Sequence, residues 1–171
     1  MKALVIVDMQ NDFIDGSLGT KEAAAIVPAV AERIKNSSDE LVLFTADTHG
    51  EDYLSTPEGK KLPVVHCVKG TDGWEIHEDV LTAAENAITF EKPVFGSTAL
   101  VDFLKGKEQE LTRIELLGLC TDICVISNAI MLKNAMPNIE IYVNEKCCAG
   151  VTPQSHKEAI NVMKMCQINI I

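Results

Sequence analysis

The chain has 171 residues, of which 47% are hydrophobic, so it can bury a substantial core as one domain spanning 1–171. Its net charge of −10 and the lack of a basic patch disfavour nucleic acid and anionic membranes as partners. No apolar run is long enough for a membrane span, and Asp8 interrupts the opening apolar segment, which argues against a signal peptide. Six cysteines without a CxxC pair suit a reducing compartment, so we expect a cytoplasmic protein.

Strands and helices alternate along the sequence. Apolar, β-branched runs predict strands, and apolar residues spaced by three and four predict helices. The predicted strands are 2–7, 40–45, 88–90, 114–119, 139–143 and 167–171, and the predicted helices are 23–35, 75–85, 98–104, 123–132 and 153–165. This alternation predicts a three-layer α/β/α fold around a mainly parallel sheet of about six strands, with Rossmann-like topology. The sequence has no GxGxxG or Walker loop, which disfavours nucleotide binding.

The segment 118–125, Gly-Leu-Cys-Thr-Asp-Ile-Cys-Val, places a cysteine where an apolar strand ends and a helix begins. Thr121 or Asp122 can cap that helix, so Cys124 is expected in its first turn. Free N–H groups and the helix dipole at that position favour a thiolate and can hold an oxyanion. The alternative is that Cys124 is a small buried apolar residue, because most intracellular cysteines are inert.

Two further apolar strands end on charged side chains. Asp8 follows the first predicted strand, and Lys92 follows the third and precedes Pro93. Open α/β folds place their chemistry at the carboxyl edge of the sheet, so both side chains are candidates for a site with Cys124. Taken singly, Asp8 also fits a turn or capping carboxylate, and Lys92 also fits a solvated surface amine.

Three motifs together resemble the isochorismatase-like cysteine hydrolases, and within them the nicotinamidase/pyrazinamidase branch. The D-x-Q-x-D-F pattern is met at 8–13, K-P-x-F at 92–95 and G-x-x-T-D-x-C-V at 118–125. The motifs occur in the family's order, and the match spans nearly the whole chain. The resemblance therefore implies the α/β/α fold of this family and a hydrolytic activity on a small amide.

The resemblance also implies a role for each motif residue. Cys124 would be the nucleophile, Asp8 the proton shuttle and Lys92 the cation that favours thiolate and developing negative charge. A cis peptide at Leu119–Cys120 is implied, with the N–H groups of Cys120 and Cys124 aimed at the substrate oxygen. Because ammonia is a poor leaving group, hydrolysis would be split into thioester formation and thioester hydrolysis.

A second group of residues predicts a metal site. Asp47 and His49 alternate along an extended segment, so their side chains can face one ion. The segment 63–71 resembles the P-x-H-C-x-x-G-T element of nicotinamidases, which implies that His66 is a ligand, and Glu58 stands at the offset of a further carboxylate in some relatives. Glu58 also fits a solvated turn. We expect one divalent ion, zinc before iron or manganese, held by the long polar loop that contains these residues.

The predicted pocket departs from the family pattern at one wall. Phe13 is present, and we expect it and Leu119 to contact the substrate. Pro63 stands where well-known relatives carry an aromatic residue, and Trp74, the only tryptophan, lies outside that pattern and also fits a loop anchor. The departure leaves the identity of the substrate open, but not the type of reaction.

The prediction is a metal-assisted cysteine amidohydrolase that converts nicotinamide, or a similar small aromatic amide, to the acid and ammonia in NAD salvage. The metal would hold and polarise the substrate, with the pyridine nitrogen as a ligand. One alternative is a cysteine amidohydrolase of the same fold that acts on an N-carbamoyl or ureido compound. The other is a non-catalytic metal- or thiol-redox-binding protein. Many members of the resembled family are dimers, so a homodimer or a higher homo-oligomer is compatible with the prediction.

Overall fold

The computed structural model describes residues 1–84 and 86–171, which form a six-stranded sheet with helices on both faces. The strands are β1 (Lys2–Val7), β2 (Glu40–Asp47), β3 (Ile88–Lys92), β4 (Arg113–Leu119), β5 (Glu140–Ala149) and β6 (Asn169–Ile170). The helices are α1 (Asn11–Ile14), α2 (Lys21–Lys35), α3 (Glu78–Leu81), α4 (Thr98–Lys105), α5 (Ile126–Ala135) and α6 (Pro153–Met165). Every strand pairing is parallel, so the predicted fold class is confirmed.

The strand order indicates where this sheet would bind a ligand. The order is β3-β2-β1-β4-β5-β6, so the chain winds outward from β1 in one direction and from β4 in the other. Right-handed crossovers then put α2 and α3 on one face and α4, α5 and α6 on the other, in keeping with the helix pairs that pack together. Side chains beyond the carboxyl ends of β1 and β4 meet where the winding reverses, which is where open α/β sheets bind ligands.

The two central strands form the middle of the core. β1 and β4 are buried on both faces, which explains their nearly continuous apolar sequences. Glu115 is the buried charged residue of β4, and Arg33 donates to its two carboxylate oxygens at 3.0 and 2.9 Å. These bonds lower the pKa of Glu115 although burial acts to raise it, so the buried charge is paired. None of the helices within 1–84 and 86–171 is long and apolar enough to cross a membrane.

Two predicted elements differ from those observed. The helix predicted at 75–85 is only the short α3, because the chain before it is extended and Ile76 forms an antiparallel bridge with Gln10; its predicted end at residue 85 lies outside the described residues. β5 continues to Ala149, six residues beyond the prediction. Its polar middle is compatible with a strand because Asn144 donates to Glu115 at 3.2 Å.

Gly118 offers a direct test of how closely β4 packs against β1. Its φ is +117°, and an added Cβ would overlap the backbone oxygen of Val7. Gly118→Ala should lower the free energy of unfolding by at least about 1–3 kcal/mol in urea titrations, from backbone strain alone. The control is Gly106→Ala, where the nearest atom to the new Cβ is 3.4 Å away. Equal stability of the two variants would contradict this account of the strand contact.

Candidate active site

Asp8, Lys92 and Cys124 lie together at the carboxyl edge of the sheet. Asp8 follows β1, Lys92 ends β3, and Cys124 lies in a wide π-type turn, Thr121–Val125, between β4 and α5. Lys92 Nζ is 2.7 Å from Asp8 Oδ2 and 3.4 Å from Cys124 Sγ. All three side chains are buried. The structure therefore brings the three predicted catalytic residues into direct contact.

The backbone and one oxygen of Asp8 are held in place by β2. Asp8 has a φ of +46°, a left-handed conformation that an aspartate adopts more readily than most residues. Its N–H donates to Thr45 O at 3.2 Å, and Thr45 Oγ1 donates to Asp8 Oδ1 at 2.6 Å. Oδ2 faces Lys92, and no described residue completes a well-directed hydrogen bond to it. One carboxylate oxygen is thus fixed, and the other is free to receive a proton.

Burial affects the charges of the three residues. It raises the pKa of Asp8, although Lys92 opposes the rise. Burial and the charge of Asp8 also raise the pKa of the Cys124 thiol well above its usual range, and Lys92 opposes that rise. Burial beside a carboxylate therefore acts against the expected thiolate. A neutral thiol at this position needs a base, and Asp8 is the adjacent one.

The four predicted metal ligands also converge. One ligand atom from each of Asp47, His49, Glu58 and His66 lies within 4.8 Å of all the others. Asp47 Oδ2 is 3.0 Å from His49 Nε2 and 3.5 Å from His66 Nε2. Glu58 Oε1 is 3.9 Å from His49 Nε2. The loop between β2 and β3 therefore closes two imidazoles and two carboxylates around one point.

The protonation of this cluster fits a divalent metal ion. His66 Nδ1 donates to Val64 O at 2.8 Å, which leaves Nε2 as the lone pair that faces the cluster. Burial acts to raise the pKa of Asp47, but the neighbouring imidazoles of His49 and His66 and the charge of Lys92 outweigh it and lower the pKa. Asp47 is therefore a carboxylate. Two imidazoles with two carboxylates suit zinc, iron or manganese.

Asp47 contacts both the candidate metal ligands and the candidate catalytic residues. Its Oδ2 faces the histidines, and its Oδ1 is 3.3 Å from Lys92 Nζ. Burial acts to lower the pKa of Lys92, but the negative charges of Asp8 and Asp47 oppose it and the pKa is raised, so the lysine stays charged. The ligand cluster and the thiol are thus connected through a single buried ammonium group.

The turn that carries Cys124 differs from the predicted helix start. The caps that we expected are used elsewhere, because Thr121 Oγ1 contacts His156 Nδ1 at 2.8 Å and the Asp122 carboxylate accepts from Val151 N at 3.2 Å. The peptide bond Leu119–Cys120 is cis, as the resemblance implied. Cys120 O accepts from the N–H groups of residues 123 and 125, both at 3.1 Å, which shapes the turn so that Cys120 and Cys124 both line one cavity.

This cavity has a volume of about 310 Å³ and opens to solvent beside the thiol. Asp47, Glu58 and His66 form part of its wall, and Phe13 forms another part, as predicted. Leu119 is placed differently from our expectation. Its side chain is fully buried in the core, because β4 is covered on both faces, so it is not available to a substrate.

Gln10 was not predicted as a site residue, although it positions Asp47, one of the four candidate metal ligands. Gln10 is fully buried, and its Oε1 accepts from Asp47 N at 2.7 Å. Its Nε2 donates to Asp47 O at 2.9 Å and to Trp74 O at 2.8 Å. Trp74 Nε1 in turn donates to Thr48 Oγ1 at 2.9 Å, so the tryptophan anchors the loop. The only signal in the sequence was the place of Gln10 within the D-x-Q-x-D-F motif.

Asn128 is a second residue that sequence reasoning missed. It is fully buried in α5, and its Oδ1 accepts from Ser97 N at 2.9 Å. Its Nδ2 donates to Cys124 O at 2.8 Å and to Phe95 O at 3.2 Å. One amide therefore ties the turn of Cys124 to the loop after Lys92. Its position four residues after Cys124, which places both residues on one side of a helix, was the only available sign.

Comparison with known proteins agrees with this fold and site. The Isochorismatase domain model matches residues 2–171. The nicotinamidase/pyrazinamidase of Mycobacterium tuberculosis is 28% identical over 100% of this chain and 98% of its own. An isochorismatase family protein of Bacillus subtilis is 30% identical over 94% of this chain and 92% of its own. The pyrazinamidase of Pyrococcus horikoshii, in complex with zinc, superposes with a TM-score of 0.85 at 28% identity, covering 99% of this chain and 98% of its own.

The family follows from the family model and from the fold. The chain belongs to the isochorismatase family, because the family model matches it almost from end to end. Within the family it falls in the nicotinamidase/pyrazinamidase branch, and the predicted enzyme class, a nicotinamidase-like hydrolase, is confirmed.

The contacts of Asn128 predict that it positions the nucleophile. Asn128→Ala frees Cys124 O and the loop at Phe95, so kcat for the amide substrate should fall by about 10²-fold, since small displacements of reacting groups have effects of that size. The control is Ser127→Ala, which removes a hydrogen bond to Ile123 O within the same helix and should change kcat by less than about twofold. Steady-state kinetics below the unfolding temperature measure both. Equal kcat values for the two variants would assign Asn128 a purely structural role.

Proposed function

We propose that the protein hydrolyses nicotinamide, or a closely similar small aromatic amide, to the acid and ammonia through a thioester on Cys124. The proposal rests on the direct contact of Lys92 with Asp8 and Cys124. The cavity beside them is also lined by candidate metal ligands. The names of the Mycobacterium tuberculosis and Pyrococcus horikoshii relatives support an amide as the substrate. A role in NAD salvage follows from nicotinamide as the substrate, and the six free cysteines suit a reducing compartment such as the cytoplasm.

The first half of the reaction uses the proton acceptor beside the thiol. As Cys124 Sγ attacks the carboxamide carbon, Asp8 Oδ2 takes the thiol proton. The backbone N–H groups of Cys120 and Cys124 stabilise the oxygen that becomes negatively charged. Asp8 then gives its proton to the departing nitrogen, the C–N bond breaks, and ammonia leaves a thioester behind. Lys92 favours the carboxylate form of Asp8 before the first transfer and after the second.

The second half uses the same carboxylate on water. Asp8 removes a proton from a water molecule that attacks the thioester carbon, and the C–S bond breaks. The proton returns from Asp8 to the sulfur, so the acid leaves and the thiol is restored. One base therefore serves both halves, and its Oδ2, which is paired with Lys92, carries no other directed hydrogen bond from the described residues.

Asp47, His49, Glu58 and His66 would hold one divalent metal ion, and the zinc in the related pyrazinamidase favours zinc. When bound, such an ion supplies a Lewis acid that holds the substrate by its ring nitrogen and so orients the carboxamide. Phe13 packs 5.5 Å from the ring of His66, centroid to centroid, and provides one wall for the substrate ring.

Ammonia release tests the proposed reaction. Cys124→Ala should abolish turnover of nicotinamide, whereas Cys166→Ala, which changes an exposed cysteine at the end of α6, should retain wild-type activity. Nicotinamide and pyrazinamide should exceed benzamide in kcat/KM by at least about tenfold, because benzamide lacks the ring nitrogen. Substantial turnover by folded Cys124→Ala would overturn the mechanism. A wild-type protein that releases no ammonia would favour a non-catalytic binding role.

The metal ligands predict a separable effect. His66→Ala should weaken metal affinity by at least about 100-fold and raise KM, with little change in the thermal midpoint. His77→Ala is the matched control, because His77 caps α3 outside the cluster and should leave metal content unchanged. Elemental analysis and steady-state kinetics measure both quantities. Full activity of chelator-treated, metal-free protein would show that these residues are only polar groups of the loop.

A further inference from the structure

The cavity is larger than a pyridine carboxamide requires. Its volume is about 310 Å³, whereas an apolar cavity of about 150 Å³ accommodates benzene. Nicotinamide is roughly one and a half times as large as benzene by heavy atoms, so it would leave part of this volume empty. An unfilled apolar volume next to a bound ring is where a substituent of the ring would lie.

Part of the cavity wall is apolar apart from Thr20, whose hydroxyl oxygen already accepts from Ala23 N at 3.0 Å. Leu18 and Ala23 come from the segment that leads into α2, and Ile123 comes from the turn of Cys124. These side chains contribute no ionisable group. The wall therefore favours a hydrocarbon group over a polar one.

The mouth continues this apolar wall. Leu62, Phe95 and Val151 line the cavity from three separate loops, yet 38%, 46% and 51% of their surfaces are exposed. Exposed apolar side chains that converge on one opening are typical of ligand-binding grooves. They would be covered by a ligand that extends from the interior to the mouth.

The charges at the cavity disfavour an anionic substituent. Among the described residues that line it, the charged carboxyl groups are Asp47 and Glu58, and none of the lining residues is a lysine or an arginine. The nearby ammonium of Lys92 is already paired with Asp8 and Asp47. With a divalent ion held by Asp47 and Glu58, the rest of the lining offers no cation to a carboxylate on the substrate.

We infer that the preferred substrate is an uncharged aromatic amide whose ring carries a short alkyl group, which lies against Leu18, Ala23 and Ile123 and points to the mouth at Val151. This inference rests on the proposed amide hydrolysis and adds a substrate class to it. It also disfavours N-carbamoyl amino acids, because the apolar part of the wall offers no cation to their carboxylate.

A series of ring-substituted nicotinamides tests the inference. The wild-type metalloprotein is assayed with nicotinamide and with its methyl, ethyl and propyl derivatives at ring carbon 5 and at ring carbon 6. At the better position, kcat/KM should rise about two- to fourfold with each added carbon, since each buried methylene contributes up to that factor. The 5-carboxy derivative should be at least about tenfold poorer than nicotinamide. A steady fall in kcat/KM with chain length at both positions, with nicotinamide still hydrolysed, would overturn the inference and leave the proposed function intact.

Two further measurements keep the outcome decisive. Val151→Ser should lower the ratio of kcat/KM for the best alkyl derivative to that for nicotinamide, whereas Val162→Ser, at an exposed position on α6, should leave the ratio unchanged. If none of the amides is hydrolysed, the proposed function fails, and calorimetric binding of the same series decides the inference separately. A Kd that falls with chain length supports the apolar pocket, and a Kd that is flat or rises contradicts it.

Discussion

The site depends on one buried ammonium group. Lys92 Nζ lies 2.7 Å from Asp8, 3.3 Å from Asp47 and 3.4 Å from Cys124. A buried charge costs several kcal/mol unless it is paired, and the same holds for each carboxylate around it. The lysine therefore favours the ionised form of both acids, so that one can accept protons while the other faces the histidines. Without this cation, the two carboxylates would repel each other, and each would tend to hold its proton.

The parallel pairing of the strands brings these side chains together. Asp47 and Lys92 are partners in the register of β2 and β3, and Asp8 begins directly after β1, which pairs with β2 on its other side. Thr45, two residues before Asp47, holds Asp8 through both its backbone and its hydroxyl. Cys124 enters from the other half of the sheet, across the reversal point between β1 and β4. The same topology that builds the core thus sets the distances within the site.

The sequence predicted those parts of the protein that depend on local pattern. Strand ends with charged residues, and the motifs around them, placed the three catalytic candidates and the four metal candidates, and a single-domain organisation stays a prediction. The start of the Cys124 turn was predicted wrongly because Thr121 and Asp122 bond to groups some thirty residues away. Gln10 and Asn128 were missed because a buried amide is recognisable only when its partners are known. The pKa of the thiol likewise depends on burial and on Asp8, which local sequence does not reveal.

The central claim is that Asp8 takes and returns the protons of Cys124, and Asp8→Asn tests it most directly. Asparagine has nearly the same shape and tolerates the left-handed backbone at φ +46°, but it cannot accept a proton in the same way. Ammonia release from nicotinamide by purified, metal-loaded Asp8→Asn is the measurement. We predict a loss of at least about 10³-fold in kcat with unchanged fold and metal content. Turnover within tenfold of the wild-type protein would contradict the account.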